Sequence, residues 1–354
     1  MSNPGDSSFQ RTLIRWADPA REAAFHQWLK GIADEFGLVP HSLTSASADA
    51  SFRRYLRIDS AQGTRIIMDA PPPLEDVRPF VHVASLLEQA DLMAPRILAC
   101  DAERGFLLTT DLGTQLYLDA LTAGPEARVE GLMRDAIRAL VQWQVRVDAQ
   151  ALPPYDEAQL RAELDLFVPW CVQREHGLTW GPTQTRAWDQ VCQALVRSAL
   201  AQPTVAVHLD WMPRNLMVCD GGPGILDFQD AVRGPISYDV ASMLRDAYLS
   251  WDEGREIDWA VRYWDAARAA GLPVNEDFGE FWRQLEWMGL QRHLRILGVF
   301  CRLKHRDGKP AYAADLPRFF NYATKVALRY RELKPLLALL EPMSGAAVSE
   351  GLTF

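Results

Sequence analysis

One stretch constrains this chain more than any other: TVAVHLDWMPRNLMVCDGGPGILDFQDAVRGP, residues 204–235. Helical patterns flank it on both sides, yet it holds three short apolar runs, TVAV, NLMV and GIL, separated by polar turns. Very short strands within a helical region serve to display side chains on loops. The polar residues of the stretch have a spacing of their own. His208, Asp210 and Asn215 follow the order H-x-D-x-x-x-x-N, and Asp227 comes twelve residues after Asn215, in ILDFQD. Phosphoryl transfer from a nucleotide needs such a set. One carboxylate orients the attacking hydroxyl and accepts its proton, and oxygen ligands hold Mg²⁺ on the phosphates. Asp210 is the candidate for the first task, Asn215 and Asp227 for the second. Mg²⁺ prefers hard oxygens and keeps several waters, so one carboxylate and one amide are a reasonable protein share. The plainer alternative for a loop aspartate is a cap or turn. For Asp227 it is weakened by the apolar neighbours Ile225, Leu226 and Phe228, because a carboxylate among apolar residues normally has a partner or a metal.

The rest of the chain divides in two. From Phe9 to Gly37 apolar residues recur at threes and fours, with Pro19 expected to break the run. LTSAS, FRRYLRI and TRIIMDA then read as strands, Glu75–Ala90 as a helix, and PRILAC with GFLLTT as a hairpin. Beyond that, helical spacing covers 128–149, 160–173, 184–200, 236–249, 255–270, 278–303 and 316–340. The expected class is α+β. A small antiparallel-sheet region spans residues 9–110 and a mainly helical region spans 111–345. A length of 354 residues suits two such bodies.

Composition narrows the function classes. Hydrophobic residues make up 48% and charged residues 23%, which excludes a disordered or collagenous chain. A net charge of −9 argues against a nucleic-acid partner. No stretch approaches 18 apolar residues and no signal-like N-terminus is visible, so a cytoplasmic monomer without a membrane partner is expected. Five scattered cysteines without a CxxC read as buried reduced thiols, and the twelve tryptophans mainly as core.

HLDWMPRN followed by LDFQD resembles the catalytic-loop and metal-loop pair of the aminoglycoside phosphotransferase-like small-molecule kinases. GPISYDVASMLRD resembles the segment that follows in that family, where an aspartate, here Asp239, buttresses the catalytic loop. The resemblance implies a two-lobed protein-kinase-like fold, ATP and Mg²⁺ as cofactors, and a structural His208 bonded to the loop backbone. ASFRRYLRI, IMDAPP, LLTTDLG, QRHLRILGVFCRL and RDGKP extend it toward the bacterial anomeric kinases of amino sugars. Those phosphorylate the C1 hydroxyl of N-acetylmuramate or N-acetylglucosamine in cell-wall sugar recycling. The chain departs from the kinase pattern at the strand lysine: Met68 takes that position, and no lysine occurs between Lys30 and Lys304. Cation density for the phosphates is therefore expected from Arg53, Arg54 and Arg57. Ser51 and Phe52 belong to a loop that replaces the glycine-rich one, and Thr110 and Leu112 to the adenine-binding hinge. Solvated surface arginines and an ordinary strand-to-helix turn are the plain alternatives. Candidates for the acceptor sugar are Trp211, by stacking, with Arg214, Arg245, Asp246, Tyr248, Arg292 and His293. Competing readings are an aminoglycoside or choline kinase, a nucleotide-binding pseudokinase, and a metal-dependent hydrolase.

Overall fold

The computed structural model describes Ile14, Trp16 and residues 18–48 and 52–344. Ser51 and the N-terminal tail lie outside the described residues. The chain forms two compact units. The first runs to Thr114 and takes in Gly224–Gln229; the second comprises Gln115–Pro223 and the chain from Asp230 onward. The division thus interleaves, where the sequence reading had one cut near residue 110.

In the first unit, α1 (Pro19–Phe36) starts at the proline that was expected to interrupt it. The missing N–H of a proline costs nothing in a first turn. Asp18 caps the helix by accepting from the Ala20 N–H at 2.8 Å, and Gly37 closes it at φ 58°. Five strands follow: β1 (Thr44–Ala48), β2 (Arg54–Ser60), β3 (Gly63–Asp69), β4 (Ile97–Asp101) and β5 (Phe106–Thr110). They form one antiparallel sheet in the order β1-β2-β3-β5-β4. Helix α2 (Arg78–Gln89) buries Phe80, Val83, Ala84 and Leu87, one helical face. Period-two alternation sends Leu56 and Ile58 of β2 into a core with Phe25, Trp28 and Phe106, and puts Tyr55 and Arg57 on the other face.

Arg54 shares the core-facing side. Its guanidinium pairs with the buried Asp69, which also takes Arg21 at 2.6 Å, and lies 4.0 Å from the Trp16 ring centroid. It is therefore engaged with a buried carboxylate on the face of the sheet opposite Tyr55 and Arg57. Asp69, next to the position of the absent lysine, is the reason: a buried carboxylate needs cations beside it.

The second unit carries α3 (Tyr117–Ala123), α4 (Glu126–Arg146), α5 (Glu157–Leu164), α6 (Pro182–Leu200), α7 (Tyr238–Leu244), α8 (Glu253–Ala269), α9 (Phe278–His305), α10 (Leu316–Arg329) and α11 (Pro335–Ser344). The short strands are β6 (Thr204–Val207), β7 (Leu216–Cys219), β8 (Gly222–Ile225), within which the chain passes into the first unit, and β9 (Val232–Pro235). β9 pairs antiparallel with β6. Its VRGP sequence is not among the apolar runs named above, and the pairing with β6 makes it a strand. Three expected helices are interrupted. The 160–173 run becomes α5 plus a π-helical segment, Phe167–Glu175, that restarts just ahead of Pro169. The 316–340 run breaks at Tyr330, which leaves the helix to place its hydroxyl 2.5 Å from Glu286 and its ring edge-on to Trp287. The 236–249 run ends at Leu244, because the Asp246 carboxylate takes the N–H groups of Tyr248 and Leu249 at 2.8 and 3.0 Å. Helix α9 packs closely on the π-helical segment. A Cβ at Gly298 would stand 2.7 Å from the Leu166 carbonyl carbon, so only glycine permits the approach.

Five free thiols are seen: three are buried, but Cys100 is exposed and Cys219 half-buried. No helix among the described residues is long and apolar enough to cross a membrane.

Candidate active site

The loop after β6 is held from below. Asp239, at the start of α7 and fully buried, accepts from the backbone N–H of His208 at 2.7 Å and of Leu209 at 3.0 Å. Leu209 sits at φ 74°, a conformation that leucine adopts only under constraint. The two bonds to Asp239 supply that constraint. Burial pushes the Asp239 carboxyl up to about 7; the two N–H donors oppose the shift, and the Asp210 charge adds to it. The Asp210 N–H points at Nδ1 of the buried His208 at 3.3 Å, so that nitrogen is the acceptor. Asn215 Nδ2 donates to the Asp210 carbonyl oxygen at 3.0 Å, which closes the loop and ties the two residues together. The Asp210 carboxylate remains 30% exposed, with Arg292 Nη2 3.3 Å from its Oδ1.

Asp227 belongs to the first unit. The strand before it is anchored by the Ile225 N–H on the Met93 carbonyl at 2.7 Å, and Phe228 after it packs 4.5 Å from Phe80. Asp227 itself is at φ 58°. Its Oδ1 accepts from Gln229 Nε2 at 3.0 Å, and Arg53 Nη2 stands 3.7 Å away. Arg53 also lies 3.7 Å from Glu75, whose carboxylate takes the N–H of the exposed Phe52. The structure therefore brings Phe52, Arg53 and Asp227 together. It draws Arg57 off: the guanidinium is committed to Asp111 at 2.6 and 3.1 Å and to the Gly113 carbonyl. Burial tends to raise the Asp111 carboxyl, but bonds from Arg57, Thr64 and Gly113 hold it below its usual range. Thr110 and Leu112 line one cavity of about 300 Å³ with Leu92, Met93 and Arg96.

Among the described residues no three acidic, histidine or cysteine side chains converge on a ready metal cage. The Asp227 carboxylate is 34% exposed, and Asn215 uses its amide nitrogen, not its amide oxygen, in the bond to Asp210.

The acceptor-side candidates separate sharply. Trp211 is fully buried, edge-on to His208 at 5.6 Å, so it cannot stack on a sugar. Arg245 is buried between Glu256 at 3.2 Å and Glu286 at 2.9 Å. Asp246 is buried as the turn acceptor described above, and burial raises its carboxyl. His293 is buried with Nε2 3.2 Å from the Arg245 carbonyl and its ring stacked on Tyr322 at 4.7 Å. All four are buried, Trp211 in the loop after β6, Arg245 and Asp246 just past α7, and His293 on α9. Arg214 and Tyr248 remain at the surface, joined at 2.7 Å. Arg292 reaches Asp210. Two residues were missed. Arg295 bonds the Tyr238 hydroxyl at 3.0 Å and lies 3.4 Å from Glu163, which also holds the Tyr155 hydroxyl. Burial raises the Glu163 carboxyl and the Asp210 charge adds to it, against the pull of Arg295 and Arg292. Arg295 was visible only as one cation in a run, and Glu163 gave no signal.

Burial depresses His293 from 6.5 to about 3. The unfolded chain then takes up a proton below pH 6.5 that the folded chain refuses. Stability at this residue is present above that pH and falls by about 1.4 kcal/mol per pH unit as pH drops toward 3. His293→Gln should melt lower than wild type at pH 7, with the gap closing between pH 6 and pH 4. A gap independent of pH would contradict the neutral assignment.

A model of the phosphotransferase enzyme family matches residues 42–280. The chain belongs to that family. This phosphotransferase is 50% identical over 313 residues to the N-acetylmuramate/N-acetylglucosamine kinase of Pseudomonas putida, over 88% of this chain and 91% of that protein. To the protein of the same name from Pseudomonas aeruginosa it is 46% identical over 343 residues, 97% of this chain and 98% of the relative. Among solved structures it resembles the Plasmodium vivax ethanolamine kinase, with a TM-score of 0.60 at 11% identity, over 92% of this chain and 91% of that one. An ADP-bound aminoglycoside phosphotransferase aligns with a TM-score of 0.55 at 12% identity, over 85% of this chain and 98% of the other. The phosphotransferase therefore has the protein-kinase-like fold that its sheet and helical units suggested.

Proposed function

We propose that this phosphotransferase moves the γ-phosphoryl group of ATP to the C1 hydroxyl of N-acetylmuramate and N-acetylglucosamine. The observation that carries the reading is the clamped loop. Asp239 holds His208 and Leu209, and Asn215 is tied to the Asp210 carbonyl, so Asp210 is displayed on a fixed support. The Pseudomonas relatives support the choice of acceptor by name, at 50% and 46% identity.

In this reading Asp210 accepts a hydrogen bond from the C1 hydroxyl and receives its proton as the new O–P bond forms. ADP leaves with the electrons of the broken γ–β bridge. Asp227 and Asn215 would hold Mg²⁺, which would neutralise phosphate charge when bound. Arg53 supplies the cation that the missing lysine would have given, while Arg57 and Arg54 hold carboxylates of the fold. Phe52 borders the phosphates, and Thr110 and Leu112 the adenine. The chain works as a cytoplasmic monomer on small molecules, in keeping with its charge of −9. The kinase-like neighbours act on other alcohols by name, so choline, ethanolamine and aminoglycosides belong in the test panel. ATP consumption with and without Mg²⁺ across that panel should single out the two amino sugars. Phosphorus NMR should place the phosphate on C1, with loss of reducing-end reactivity. A C6 phosphate would remove the anomeric assignment, and no turnover with any alcohol would favour a binding module.

A further inference from the structure

Arg292 lies on α9, 2% exposed, and its guanidinium is only partly engaged. Nη2 reaches Asp210 Oδ1 at 3.3 Å and Met212 Sδ at 3.9 Å, two atoms of the same loop. Nε and Nη1 are buried without a hydrogen-bond partner. A desolvated cation is costly unless its charge is met. Here it is met at longer range: burial raises the carboxyls of Asp239, Asp246 and Glu163, and the Arg292 charge opposes that rise. Arg295, one turn on, bonds Tyr238 and faces Glu163, so this face of α9 is fixed against its neighbours.

We infer that Arg292 is a positioning residue for the phosphoryl-transfer step: it holds one oxygen of Asp210 so that the other is presented to the acceptor hydroxyl. Among the described residues Asp210 Oδ2 takes no hydrogen bond from the protein, whereas Oδ1 takes the one from Arg292. A carboxylate with a single anchored oxygen has a defined rotamer and one oxygen left for a substrate proton. The competing role, reading the lactyl carboxylate that distinguishes N-acetylmuramate from N-acetylglucosamine, is opposed by burial. The idle nitrogens have no surface for a sugar carboxylate to reach. The inference rests on the function proposed above.

The test is steady-state kinetics of Arg292→Gln and Arg292→Lys on both sugars, with ATP affinity and melting curves measured alongside. Misplacing a catalytic group by about 1 Å can cost about 100-fold. Arg292→Gln should lower kcat about 10- to 100-fold, equally for both sugars, with KM for ATP within about twofold of wild type. Arg292→Lys keeps the charge but not the planar fork and should recover part of the loss. A defect confined to KM for N-acetylmuramate would overturn positioning in favour of carboxylate recognition. Unchanged kcat would overturn it outright, and unfolding of both variants would make the residue structural. Wild-type enzyme inactive on every sugar would instead defeat the proposed function. Sugar kinase activity that survives Arg292→Gln would defeat only this inference.

Discussion

Asp210→Asn should lower kcat by about two to four orders of magnitude, the usual worth of a positioned base, with ATP affinity nearly intact. The transition state of phosphoryl transfer is loose, so the attacking hydroxyl is barely deprotonated and the carboxylate acts mainly by orientation. An anomeric hydroxyl is more acidic than an ordinary alcohol, which lessens the demand for basicity but not for placement. Asparagine keeps the size of the side chain but offers one acceptor oxygen in place of two. That oxygen must serve either Arg292 or the sugar, whereas the carboxylate gives Oδ1 to Arg292 and keeps Oδ2. The backbone bonds around the loop, from Asp239 and Asn215, do not involve the substituted atoms. The fold should survive. Steady-state kinetics with nucleotide binding measured separately tests the role, and an active variant removes Asp210 from the chemistry.

Asp227→Ala should abolish turnover, because it deletes the carboxylate proposed to hold Mg²⁺. Its side chain is 34% exposed and accepts from Gln229, so little packing is lost. The backbone is less forgiving. At φ 58° aspartate and asparagine are tolerated better than alanine. Asp227→Asn therefore separates the two effects: it keeps the left-handed residue and removes the charge. Both variants should be inactive at ordinary Mg²⁺, and the asparagine form should melt near wild type. A folded variant with near-normal turnover would exclude Asp227 as the metal ligand.

The two predictions rest on residues that were legible without coordinates. H-x-D-x-x-x-x-N is a spacing, and a short loop between short strands leaves its polar residues few places to go. Asp239 was legible for the same reason, from GPISYD. Period two placed Tyr55 and Arg57 on one face of a strand and Arg54 on the other, and the sheet agrees through Leu56 and Ile58, with Arg53 falling just ahead of the strand. Local chemistry also dictated the caps, with Asp18 before Pro19 opening α1 and Gly37 ending it.

Contacts distant in sequence decided the rest. Arg54 and Arg57 look alike in FRRYLRI, yet one meets buried Asp69 and the other Asp111, 15 and 54 residues away. Trp211 adjoins the proposed base, but adjacency in sequence does not give direction, and its indole turns into the core. Helical periodicity assumes one open side and would leave the cations of α9 in solvent. Covered on both sides, the helix turns Arg292 to Asp210, Arg295 to Glu163 and His293 to the Arg245 carbonyl. By itself the sequence determined the local patterns: which loop displays the candidate polar residues, which strands alternate, where helices begin. Only tertiary structure decided which charges are neutralised by partners and which stay free to act. Burial and charge pairing are set by residues far along the chain, and no local pattern encodes them.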